Sequence, residues 1–95
     1  MNLKPYERKL LKSDGTVVDY PPARGRKYSF EELQKAVGGY IEIIHPAGSR
    51  NYLMVINEEG RLRGLPTNKL ATQLYGSNID HIVGDALVCR DGDID

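Results

Sequence analysis

The chain has 95 residues, 40% of them apolar and 27% charged, proportions that fit one ordered globular domain and exclude both a disordered segment and a pair of cores. Thirteen basic residues cancel thirteen acidic ones, so the overall charge points neither to nucleic acid nor to a strongly charged substrate. The single cysteine, Cys89, excludes an internal disulfide; no apolar run approaches a membrane span and the first residues lack the hydrophobic region of a secretory signal, so the cytoplasm is the expected compartment.

That balance hides an asymmetry. Residues 1–27 carry seven Lys or Arg against three acids, and residues 28–95 carry six against ten, giving +4 and −4. A basic arm of this kind can meet phosphates or an acidic protein. Without interleaved stacking aromatics it reads more simply as an offset to the acidic remainder of its own chain.

Apolar stretches on either side of Asp14-Gly15 predict a hairpin with strands near 7–12 and 16–20, because that dipeptide tolerates the positive φ of a tight turn. "PPARGRK", Pro21 to Lys27, denies backbone donors and reads as an exposed loop. In "YSFEELQKAVGGY" Ser29 and Glu32 form a capping box, Phe30, Leu33 and Val37 fall on one helical face, and Gly38-Gly39 supplies the stop. Strands follow in "YIEIIH" and "NYLMVIN"; the second is apolar without alternation, as expected of a central strand covered on both faces.

Asn57 to Gly60 reads as a hairpin loop with Gly60 left-handed, returning into a short strand, "RLRG", with Leu62 inward and Arg61 and Arg63 outward. Beyond Pro66, Thr67 or Asn68 caps a second helix with Leu70, Ala71, Leu74 and Tyr75 on its apolar face and Gly76 at its end. "HIVGDALVC" is a last strand bent at Gly84-Asp85. The expected fold is α+β: a small mixed, mostly antiparallel sheet with two helices packed against one face, in the order β-β-α-β-β-β-α-β. One domain spans residues 1–95, with a basic N-terminal hairpin and loop at 1–27, a core at 28–89 and a loose acidic tail at 90–95.

Chemistry-bearing patterns are sparse. His45, His81 and Cys89 lack the spacing of a zinc site, and Asp91, Asp93 and Asp95 start like a calcium loop without the glycine turn and glutamate that complete one, so they read as solvated charge. No nucleophile elbow is present and Cys89 sits at the end of an apolar strand, so neither a catalytic residue nor a cofactor or metal is expected. An anion has one opening: Arg61 and Arg63 lie just upstream of the helix start at Asn68, although capping and solubility explain the same residue types. Arg24, Arg26 and Lys27 are the second candidate set, in the basic loop. Tyr40, Tyr52 and Tyr75 are expected in the core or at its edge, and Tyr6, Tyr20 and Tyr28 around that loop.

From about Ser29 to Cys89 the segments "VGGYIEII", "VINEEGRLRGLPTNKLAT" and "DHIVGDALV", in that order, resemble the small proteins grouped as domain of unknown function 3846. The resemblance implies an origin among gut bacteria, phages and other mobile elements and carries no activity with it. Its positions Glu59, Gly60, Asn68, Ala71, Gly84 and Asp85 coincide with the turn, cap, helix face and bend inferred above, which are structural jobs. The leading reading is therefore a non-enzymatic binding or accessory module of mobile-element type that acts on a protein partner, with a homodimer through an exposed edge strand as one form. The alternatives are a nucleotide or similar anion at Arg61, Arg63 and Asn68, and nucleic-acid contact through Lys4 to Lys27; no membrane association is expected.

Overall fold

A computed structural model describes residues 2–76 and 81–95. Around the Asp14-Gly15 turn, where Asp14 Oδ1 accepts the Thr16 amide at 2.9 Å, Lys9–Leu11 (β1) pairs antiparallel with Val17–Asp19 (β2). A second hairpin joins Ile41–Ile44 (β3) to Tyr52–Asn57 (β4). The last strand, Ala86–Arg90 (β5), inserts between the hairpins, antiparallel to β1 and to β4, so the five strands run in the order β2-β1-β5-β4-β3. Two helices, Phe30–Val37 (α1) and Lys69–Tyr75 (α2), complete the α+β architecture expected from the sequence.

Strand alternation sorts the side chains onto two faces. On one, Leu10, Leu53, Val55, Leu87 and Cys89 pack with Tyr28 and with Leu33, Ala36 and Val37 of α1. On the other, Leu11, Tyr52, Met54, Ala86 and Val88 pack with Leu3, Ile82 and Ala71 and Leu74 of α2. Each face thus receives one helix, which corrects the expectation that both helices share a face. The crossover from β2 to β3 carries α1 over one side of the sheet, and α2, entering later, takes the side left open. Central β4 and β5 are buried front and back, which is why "YLMVI" shows no alternation.

The capping box forms as expected, with Ser29 Oγ accepting the Glu32 amide at 3.2 Å and Glu32 Oε1 accepting the Ser29 amide at 3.0 Å. Glu32 Oε2 also accepts the Ala23 amide at 2.7 Å, tying the basic loop to α1, and these backbone donors at Ser29 and Ala23 hold its carboxyl below the usual range. Phe30, expected on the buried face, is 57% exposed; the stripe that meets the sheet is Leu33, Ala36 and Val37.

Residues 90–95 are not a loose tail. Asp93 is buried, with Oδ1 2.8 Å from an Arg8 guanidinium nitrogen and Oδ2 accepting the Arg90 amide at 2.9 Å. The Tyr28 amide donates to the Asp93 carbonyl and the Asp95 amide to the Tyr28 carbonyl. Burial opposes the Asp93 charge, yet the Arg8 hydrogen bond, the Arg90 amide and the Arg8 charge outweigh it and hold the carboxyl below its ordinary value. Ion pairing also absorbs part of the N-terminal charge, because Arg8 meets Asp93 and Lys12 lies 3.8 Å from Asp85.

"RLRG" turns where a strand was expected: the Arg63, Gly64 and Leu65 amides donate to the Glu59, Arg61 and Gly60 carbonyls, and Leu62 is 89% exposed. Asn57 starts the departure, its Oδ1 accepting the Glu59 amide while its Nδ2 donates to the Val37 carbonyl at the end of α1. Gly60 is not left-handed. Its role is close approach, since a Cβ there would sit 2.8 Å from Val83 Cγ2.

Candidate functional site

Asn68, proposed from sequence as part of an anion site, is buried and fully engaged. Its Oδ1 accepts the Ala71 amide and caps α2, and its Nδ2 donates to the Leu11 and Gly84 carbonyls at 2.8 and 2.9 Å. The side chain therefore joins helix, sheet and bend. Arg63 donates to the Gly38 carbonyl at 2.9 Å, at the end of α1, and Arg61 donates to the His81 carbonyl at 2.9 Å. The two arginines point to different partners and, with Asn68 buried, the three do not converge.

Arg24, Arg26 and Lys27 are exposed in the loop before α1. Arg24 and Lys27 border a broad hollow of about 440 Å³ together with Glu31, Glu32 and Asp95, so the charges around it largely offset one another. The Arg26 carbonyl accepts from Arg8 at 3.3 Å. Of the tyrosines around this loop, Tyr28 is completely buried and stacks on Tyr20 with ring centroids 6.1 Å apart.

A different place has the makings of a site. On the α2 face of the β3–β4 hairpin lies a groove of about 180 Å³, with a floor of Ile44, Ile56, Ile82 and Val83 and a polar border of Glu42, Glu58, Arg61, Tyr75 and His81. One side of it is the outer edge of the sheet, because β3 ends the strand order. The Glu58 amide donates to the Tyr40 carbonyl at 2.8 Å, and the register pairs Glu42 with Ile56 and Ile44 with Met54. Hydrogen-bonded and open positions alternate along an antiparallel pair. Tyr40, Glu42 and Ile44 therefore turn their backbone groups toward β4, and Ile41 and Ile43 turn theirs outward. Beside this edge Tyr40 is 62% and Ile43 41% exposed.

Tyr40 was expected in the core or at its edge; it stands exposed just before β3. Glu42 and Ile43 were not singled out from the sequence, although one signal was present. A glutamate inside the otherwise apolar "YIEII" marks a strand that has solvent beside it.

Residues 10–95 match the family described as Domain of unknown function (DUF3846). The chain belongs to that family. The DUF3846 span starts inside β1 and reaches Asp95, so it takes in the hairpin and the C-terminal turn that the sequence resemblance left at or beyond its edge. No curated protein and no solved structure matches the chain. Among the described residues, no helix is long and apolar enough to cross a membrane.

Proposed function

We propose that this DUF3846 protein is a non-catalytic binding module that takes up an extended segment of a partner protein along β3. The observation that carries the proposal is the outward direction of the Ile41 and Ile43 backbone groups at the end of the sheet, with exposed Tyr40 and Ile43 beside them. Strand addition draws affinity from main-chain hydrogen bonds and specificity from side chains that alternate between two faces.

One further fact supports binding over catalysis: the buried polar side chains Asn57, Asn68 and Asp93 are all bonded within the protein. An accessory role in a phage or other mobile element belongs to the same proposal and rests on the family resemblance alone.

Selection of ligands from an unbiased displayed peptide library, followed by backbone NMR, tests the reading. Bound peptides should shift and protect the Ile41 and Ile43 amides. Ile43→Pro, which removes an outward donor and leaves the β3–β4 ladder intact, should abolish binding while the protein stays folded. Ligands that dock away from β3, or that bind Ile43→Pro equally well, contradict it.

A further inference from the structure

The chemistry of the partner segment follows from what flanks β3, and it rests on the strand-addition reading above. An added strand lies outside β3 and places alternate side chains on the two sheet faces. On the α2 face its first neighbour is Glu42, which pairs with Ile56, and Glu58, just past the end of β4, borders the same groove. Neither carboxylate forms an ion pair among the described residues. Arg61, a cation bordering the same groove, comes from the turn beyond β4 and donates to the His81 carbonyl. On the α1 face the neighbours are instead Ile41 and Ile43, partly buried and exposed respectively.

We infer that the segment accepted by β3 belongs to another protein and alternates in character, basic where it faces the groove beside Glu42 and apolar where it faces Ile41 and Ile43. A Lys or Arg opposite Glu42 makes the favourable cross-strand pair, and its stem lies along the apolar groove floor. A second copy of this chain pairing symmetrically about Glu42 would set two carboxylates directly opposite, which is unfavourable. The same glutamate thus selects a basic strand and discourages β3 from pairing with itself in that register.

The test uses the full chain and short peptides of alternating valine and threonine that differ only at the central, groove-facing residue: Arg, Ala or Glu. Affinities are read from NMR titration. The Arg peptide should bind about two- to five-fold more tightly than the Ala peptide, the range of a cross-strand ion pair, with the Glu peptide weakest and the Arg advantage shrinking in high salt. Glu42→Lys, a change at an exposed position, should reverse the order. Equal binding of all three peptides at Ile41 and Ile43 overturns the basic-partner inference and leaves strand addition standing. Binding of none at β3 overturns both, and so does concentration-dependent self-association that protects Ile41 and Ile43.

Discussion

Replacing Asn68 by alanine separates a structural residue from a ligand-binding one. Asn68 is 1% exposed and its side chain makes three hydrogen bonds, one capping α2 and two to the Leu11 and Gly84 carbonyls. Loss of the cap costs about 1 kcal/mol, and each buried carbonyl deprived of its donor adds about 1–1.5 kcal/mol, so Asn68→Ala should destabilise by about 3–4 kcal/mol. That is a large part of the roughly 5–15 kcal/mol that stabilises an ordinary domain. Urea unfolding followed by circular dichroism should show the midpoint falling by about 2 M at a slope near 1.5–2 kcal/mol/M. Thr67→Ala is the control: Thr67 is exposed and was the other candidate cap, and its loss should change stability by less than about 0.5 kcal/mol. An Asn68→Ala protein within about 1 kcal/mol of wild type, or a Thr67→Ala protein as destabilised as Asn68→Ala, refutes the assignment.

Asp93→Asn should lower stability at neutral pH by about 1–3 kcal/mol, toward the lower end because Arg8 is partly in water. The native carboxyl sits below its ordinary value, so its contribution is full above the unfolded pKa and drains away as pH falls through the folded one. Unfolding curves of wild type and variant should therefore converge below about pH 4; a constant gap down to pH 2 argues against the Arg8–Asp93 clasp. Gly84→Ala combines φ +77° with a Cβ 2.9 Å from Leu65 Cδ1, and should cost about 1–3 kcal/mol. Gly92→Ala, which meets nothing within 4 Å, should leave the melting temperature nearly unchanged. Cys89, buried and pushed up to about 12 chiefly by loss of solvent, should resist iodoacetamide in the native state and react only on unfolding; fast native labelling contradicts its burial.

Local chemistry was readable from the sequence wherever neighbouring residues settle the outcome. The Ser29–Glu32 capping box, the Asn68 cap and the turn at Asp14-Gly15 depend on a few adjacent side chains, and all formed. The doubly buried character of β4 was also legible, because a strand without alternation needs cover on both sides. The distribution of the helices was not, since amphipathicity tells a helix to bury a face without naming which side of the sheet receives it. Asp91, Asp93 and Asp95 look like exposed charge along the chain; only the fold brings Arg8 to Asp93. "RLRG" has the alternation of a strand, but the double engagement of Asn57 with Glu59 and Val37 diverts the chain into turns. For the candidate site, Arg61 was recognised as a residue, but the fold sets it beside Glu42, Glu58 and His81 and not beside Asn68, and the edge position of β3 emerges only once β5 is seen to insert between the hairpins.

The open edge of β3 can be tested without any partner by amide hydrogen exchange on the dilute, free protein. Ile41 and Ile43 should exchange rapidly while Glu42 and Ile44, whose amides face β4, and Leu87 and Val88 in the central strand exchange far more slowly. Protection of Ile41 and Ile43 equal to that of Glu42 and Ile44 would mean that the edge is already closed, and β3 would then have no backbone left to offer another chain.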